Sequence, residues 1–186
     1  MADYKFDPNY KKELEEKFDR IYRNIFGEKV EIKRFQKDRT AQLSYKTDVI
    51  IKLPNGRQYS VDEKTRRARY FGWKDYVLEL VHHQYLNNQL IKTIPGWLYQ
   101  STADIIAFAT INESADDILE IMIFDLGTFK DESFRAEITP LPKAFANTPF
   151  DNGIFQTTIN ARASIDFIRG HAKKFWYIKE GEYGSA

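Results

Sequence analysis

Two short runs, Ile105 to Ile111 and Ile118 to Phe124, are apolar at nearly every position and lack the alternation of a strand with one wet face. Strands of that composition need cover on both sides. The pair therefore predicts the centre of a sheet enclosed by helices, with the polar stretch Asn112 to Asp117 joining the two strands.

The rest of the chain arranges itself around that centre. Asp7-Pro8 is a helix entry, with Asp7 as N-cap and Pro8 at the first helical position, and Gly27 is an exit. Between them Leu14, Phe18, Ile21, Tyr22 and Ile25 recur at three- and four-residue spacing, opposite a face carrying Lys12, Glu13, Glu16 and Lys17, so the helix packs on something. From Gln42 the period changes to two, with Val49, Ile51 and Leu53 on one side. Tyr76 to His82 reads as a third strand, followed by a polar connection from Gln84 to Gln89. Leu126-Gly127-Thr128 opens a short helix through Arg135, with Phe129 and Phe134 turned inward. The prolines at 140, 142 and 149 make Thr139 to Gly153 a loop. Ile154 to Ile159 reads as a strand, then a helix capped by Ser164 runs through Lys173, ahead of a polar aromatic tail. A helix, then antiparallel strands, then strands interleaved with helices predicts an α/β sandwich with a mixed sheet.

At 186 residues the chain fits one domain, 1–186, and 42% hydrophobic with 15% aromatic residues is ample for a core. A net charge of +1 from 28 basic and 27 acidic residues carries no global nucleic-acid signature, so attraction for DNA must come from local clustering. The absence of cysteine excludes disulfides and thiolate metal sites and fits a reducing compartment. No apolar run approaches the roughly 20 residues that cross a bilayer, and Met-Ala-Asp-Tyr-Lys is too polar for a signal peptide. The expectation is a cytoplasmic protein with no membrane partner.

Chemistry concentrates in one hairpin. Thr47-Asp48-Val49-Ile50-Ile51-Lys52-Leu53 leads through Pro54-Asn55-Gly56 into Tyr59-Ser60-Val61-Asp62-Glu63-Lys64-Thr65-Arg66. Alternate residues of a strand share a face, so Asp62 and Lys64 project together while Glu63 points away. The turn folds Asp48 back toward that pair. Two carboxylates for one hard divalent cation, beside an ammonium that polarises a water or a phosphate oxygen, are the minimal equipment for phosphodiester hydrolysis.

This arrangement resembles the PD-(D/E)XK nuclease superfamily, in which an acid near the start of one strand is followed by acid-x-Lys on the next. Here Asp48 matches the first acid and Asp62-Glu63-Lys64 the second element. The likeness extends to Gln42 ahead of the first acid, to an aromatic-x-x-Leu-Glu strand from Tyr76, and to Gly96-Trp97-Leu98-Tyr99 leading into Ala103-Asp104-Ile105-Ile106-Ala107-Phe108. It covers Gln42 to about Phe124. Thr47 stands where many members have proline. The resemblance implies a restriction-endonuclease-like fold, a mixed β-sheet sandwiched by helices. It also implies a Mg²⁺- or Mn²⁺-dependent endonuclease acting on DNA in restriction, recombination, junction resolution or phage genome processing. Many nucleases of this fold pair as homodimers to cut both strands. Asp48 and Asp62 would hold the cation, helped by the carbonyl of Glu63. Lys64 would position or deprotonate the water, and Gln42 would contact the scissile phosphate or the water shell of the ion.

Each residue also has a plainer reading. Asp48 is an ordinary strand-start acid, and Asp62 with Lys64 a surface ion pair contributing about 0–1 kcal/mol. Glu63 is a buried polar partner, or a ligand in place of Asp62. Glu79 sits in an apolar strand, where an ionised carboxylate costs several kcal/mol (roughly) unless paired. It lines the metal site or faces solvent on an edge strand. Glu13 and Glu16 supply another acid or a solvated helix face. His82-His83 forms no zinc-like spacing. Gln100, Ser101 and Asp104 reach substrate or cap strands, and Trp97 and Tyr99 belong to the core.

After the acid-x-Lys strand, Arg66, Arg67, Arg69 and Lys74 interleave with Tyr70, Phe71 and Trp73, a mixture suited to phosphate contacts and base stacking. Lys173, Lys174, Trp176, Tyr177 and Lys179 repeat the pattern more weakly. The alternative to a nuclease is a catalytically silent protein of the same fold that binds nucleic acid or inhibits a partner.

Overall fold

The computed structural model describes residues 8–35, 47–149, 153–180 and 182, so Asp7 and Gln42 lie outside the described residues. It is a mixed α/β structure with two sheets, one of six strands and one of four. The chain divides into two compact units, Met1–Gly72 with Ala103–Asp125 and Lys174–Ala186, and Trp73–Thr102 with Leu126–Lys173.

In the first unit, helix α1 (Pro8–Phe26) is followed by strands β1 (Glu31–Arg34), β2 (Val49–Lys52) and β3 (Gln58–Arg67), a 3-10 turn at Ala68–Tyr70, and later β6 (Ile105–Ile111), β7 (Ile118–Asp125) and β10 (Phe175–Lys179). The strand order is β1-β2-β3-β6-β7-β10, and β3 with β6 is the parallel pair. Helix α1 starts at Pro8 as expected, and Gly27 takes φ +102° to accept the reversal that ends it. Its Leu14, Phe18, Ile21 and Tyr22 form one core with Val49 and Ile51 of β2, Val61 of β3, and Ile105, Ala107 and Ala109 of β6. Alternate residues of each strand thus meet the helix, and alanines in the central strand leave room for its aromatic rings. The other side of β6 and β7, with Ile106, Phe108, Met122 and Phe124, is buried as well. The two-sided burial read from composition is what the sheet centre has.

The second unit holds β4 (Asp75–Leu86), β5 (Gln89–Pro95), helix α2 (Trp97–Gln100), a 3-10 turn at Thr128–Lys130, helix α3 (Glu132–Ile138), β8 (Lys143–Pro149), β9 (Ile154–Ser164) and helix α4 (Ile165–His171). Its sheet is antiparallel in the order β5-β4-β9-β8. Tyr76 and Leu78 lie opposite Ala163 and Ala161 and are buried with them, and Phe129 stacks edge-on against Phe134 with centroids 4.6 Å apart. Asp131 and Ser164 cap α3 and α4 through the backbone N–H groups of Ser133 and Phe167.

Several sequence expectations need correction. The strand read at Tyr76 to His82 is twelve residues long and belongs to a second sheet, because periodicity reveals a strand but not its partner. The polar stretch from Gln84 to Gln89 is no loop. Asn87 and Asn88, at φ 50° and 63°, make a two-residue hairpin turn, and buried Gln84 satisfies its amide across strands on Gln156. The proline-rich stretch from Thr139 to Gly153 contains β8. That strand lies at the sheet edge, where a proline such as Pro149 removes no interior ladder bond. The helix from Ser164 stops at His171, and the aromatic tail is the edge strand β10. Among the described residues, no helix is long and apolar enough to cross a membrane.

Gly96 is held by close approach. Its N–H donates to the carbonyl of Leu80, and a Cβ there would stand 2.2 Å from the carbonyl oxygen of Glu79. Neither contact is with a flexible side chain. Gly96→Ala should therefore lower unfolding stability by roughly 1–3 kcal/mol or more. Gly170→Ala, within α4 and with nothing inside 4 Å, should be neutral or stabilising by about 0.4–1 kcal/mol. Equilibrium urea denaturation of the two variants checks the contrast.

Candidate active site

The hairpin of β2 and β3 builds the site. Asn55 and Gly56 turn the chain, with Gly56 at φ +84°, its N–H on the Leu53 carbonyl, and the Asn55 side chain accepting from the Arg57 N–H. The pairing runs from Lys52 opposite Gln58 to Val49 opposite Val61. One step further Asp48 meets β3 beside Asp62, and its backbone N–H donates to the Val61 carbonyl at 3.1 Å. Thr47 fixes this entry through its buried hydroxyl, which donates to Val61 at 2.7 Å and to Val49 at 3.2 Å. A proline there would have neither bond.

Three of the expected residues converge. Asp48 accepts the Glu63 backbone N–H on Oδ2 at 2.9 Å, and its carboxyl lies near enough to Asp62 to raise the pKa of that group. Lys64 Nζ stands 2.7 Å from Asp62 Oδ1. Burial is the largest influence on Asp62 and raises its pKa above the ordinary carboxylate value. Lys64 pulls it down and the Asp48 carboxyl pushes it up again. Two like charges in a half-dry pocket are a poor fit to each other without a proton or a cation between them. Paired carboxylate oxygens are the donor type that a hard divalent ion takes. Among the described residues, no cluster of three or more Asp, Glu, His or Cys side chains is poised for a metal.

Glu63 is turned to the opposite face, as strand alternation requires. Its two oxygens accept from Arg34 Nη1 at 3.1 and 2.9 Å and one also accepts from Tyr22 at 2.8 Å. Arg34 reaches on to Asp19 and to the carbonyl of Glu15. Burial raises the Glu63 pKa, and Arg34 opposes it. Removing one partner of such a buried pair costs roughly 3–5 kcal/mol. The lock ties α1 and β1 to the strand that carries Asp62 and Lys64.

The remaining candidates are held elsewhere. Arg66 is committed to buried Glu120 at 2.8 Å and to Thr110 at 2.7 Å, and Tyr177 donates to the other oxygen of Glu120. Arg67 ends β3, Arg69 stacks on Tyr70 at 5.0 Å, and Lys74 is exposed. Glu79 lies in the second unit, on β4. Its Oε1 meets His82 Nε2 at 2.9 Å and accepts from the Trp97 backbone N–H at 3.2 Å. A bulge between Glu79 and Val81 brings two residues three apart onto one face, which plain alternation forbids. Asp104 binds the Ser60 N–H and hydroxyl and joins β3 to β6, and Gln100 donates to the Pro95 carbonyl. Lys174 donates to Tyr59. Lys12 pairs loosely with Glu16 on the exposed side of α1.

Sequence reasoning missed Arg34 and Glu120, and it read Tyr177 as part of a basic aromatic cluster where its hydroxyl serves Glu120. Glu120 carried a signal, since it is an acid inside an otherwise apolar strand and requires a counter-charge. No family model matches the chain, and neither a curated protein nor a solved structure matches it.

The raised Asp62 carboxyl has a defined consequence. A folded-state pKa above the unfolded value gives stability that is present at low pH and lost as pH rises through the raised value. In EDTA, the stability of Asp62→Asn relative to the parent should therefore grow as pH is taken upward from about 4. Thermal melts at several pH values measure it, and a difference that stays flat or shrinks contradicts the assignment.

Proposed function

We propose that this chain is a Mg²⁺- or Mn²⁺-dependent nuclease that hydrolyses phosphodiester bonds in DNA, built on a restriction-endonuclease-like fold. The observation that carries the reading is the convergence of Asp48, Asp62 and Lys64 from adjacent strands, with the Asp48 carboxylate aimed by the Glu63 N–H at 2.9 Å beside Asp62 and the ammonium 2.7 Å from Asp62. The mixed sheet with α1 packed on one face and a central β3 agrees with that fold.

In this reading Asp48, Asp62 and the Glu63 carbonyl hold the cation. When bound, the ion supplies Lewis-acid polarisation of the phosphate and a lowered pKa for water. Lys64 orients the attacking water and offsets negative charge that develops at phosphorus, and its pairing with Asp62 holds it in place before substrate arrives. The backbone N–H of Glu63 keeps the Asp48 carboxylate aimed. The Arg34–Glu63 lock holds β3 rigid from behind. Arg67, Arg69 and Lys74 supply phosphate contacts, while Arg66 serves Glu120.

Purified protein should cut single-stranded, duplex or branched DNA with Mg²⁺ or Mn²⁺ and be silent in EDTA. Asp62→Ala and Lys64→Ala should each lower the rate at least about a hundredfold. Cleavage that survives both substitutions refutes the site. DNA binding without metal uptake or cleavage identifies the silent module instead.

A further inference from the structure

A cavity of about 270 Å³ opens in the first unit, lined by Glu31, Lys33, Phe35, Ile50, Lys52 and Gln58. Strand register puts it on the face that carries the candidate site. Lys33 lies opposite Ile50 and Glu31 opposite Lys52, while Ile50 and Lys52 in turn lie opposite Ser60 and Gln58 of β3. Because alternate strand residues share a face, Ile50 and Lys52 project with Asp48, and Ser60 and Gln58 with Asp62. The Phe35 N–H donates to the Asp48 carbonyl at 2.9 Å, which extends the ladder one step and places Phe35 beside Asp48. Along β2, the row that holds Lys33 lies two residues, or about 7 Å, from the Asp48 row, and the row that holds Lys52 lies as far again.

The lining carries two cations against one acid. Lys33 is exposed, and its Nζ lies 5.2 Å from the centroid of the Phe35 ring, which is itself only 4% exposed. A buried ring thus steers the ammonium, and among the described residues that ammonium meets no carboxylate. A contact with a ring face leaves N–H donors of the ammonium for a ligand. Lys52 Nζ stands 3.5 Å from a Glu31 oxygen, with the two side chains 49% and 72% exposed, a water-screened pair that gives way to a stronger anion. The volume lies below the roughly 300–1,000 Å³ of drug-sized ligand sites, which suits a charged group on a longer molecule lying across the face.

We propose that Lys33 and Lys52 form a track for backbone phosphates of a DNA strand whose scissile phosphate sits at Asp48, Asp62 and Lys64. The proposal rests on the nuclease reading for its choice of DNA. Each ammonium meets a phosphate as a point charge, so the track sets the position of the strand and does not read its sequence. Lys33 and Lys52 are positioning residues, since they hold phosphates beside the reacting one.

The test uses the full chain in EDTA, so that binding to a short labelled duplex is read by anisotropy without turnover, across a salt series. Lys33→Ala and Lys52→Ala each remove one exposed side chain and should reduce the slope of log affinity against log salt by about 0.9, with equal weakening on duplexes of unrelated sequence. Glu31→Gln removes the competing acid and should tighten binding. Lys12→Ala, on the exposed side of the helix that packs against the other face, should leave slope and affinity at the parent values. With Mg²⁺, the double variant Lys33→Ala/Lys52→Ala should raise KM severalfold and leave kcat unchanged. Slopes equal to the parent's in both single variants, losses no larger than that of Lys12→Ala, or no binding by the parent at low salt overturns the track. A fall in kcat at unchanged KM overturns the positioning role. The two readings fail separately. Cleavage with affinity independent of Lys33 and Lys52 removes the track alone, and binding that depends on both lysines without cleavage under Mg²⁺ removes the nuclease reading alone.

Discussion

A carboxylate taken out of water needs a counter-charge, and β3 carries two such groups in succession, Asp62 and Glu63. Because strand residues alternate, one demand opens on each side of the sheet. On the α1 side Arg34 meets it with a two-point contact, helped by Tyr22 and backed by Asp19. On the other side Lys64 meets only part of it, because Asp48 brings a second carboxyl to the same place. The first side is a closed structural lock. In the proposed reading, the second keeps capacity for a cation.

The same strand continues the logic with Arg66, two residues beyond Lys64, whose guanidinium enters a buried network with Thr110, Glu120 and Tyr177. Its charge is used to join β3 to β6, β7 and β10. Lock, site and network therefore hang from one ten-residue strand at the interior of the sheet, paired with β2 on one side and β6 on the other. A scaffold so tied on both faces holds the Asp48, Asp62 and Lys64 groups in a narrow range of positions, which electrostatic catalysis requires.

What was legible in the sequence followed from local pattern. The three- and four-residue spacing from Leu14 to Ile25 marked α1, and Asn55-Gly56 between alternating runs marked the β2–β3 hairpin. Unbroken apolar runs marked β6 and β7. The approach of Asp48 to Asp62 was legible because a tight hairpin fixes register. Features that depend on distant partners were not legible. Arg34 lies 29 residues from Glu63, and nothing in Glu31 to Arg34 announces a strand whose last residue serves a carboxylate. The second sheet was hidden by polar cross-strand pairs such as Gln84 with Gln156, which look like loop in sequence and are satisfied in the ladder. Edge strand β8 carries Pro149, which argued against a strand, and β10 is a five-residue run whose antiparallel partner, β7, lies some fifty residues earlier in the chain. Lys33 and Lys52 meet around one cavity only because β1 and β2 pair in a particular register.

The central claim is that Asp48 and Asp62 are brought together to share a divalent ion. Anomalous diffraction from crystals grown with Mn²⁺ tests it most directly. The account predicts one peak within about 2.0–2.6 Å of oxygens from both carboxylates. A map with no peak there, or with the manganese bound elsewhere while Lys64 still pairs with Asp62, contradicts it.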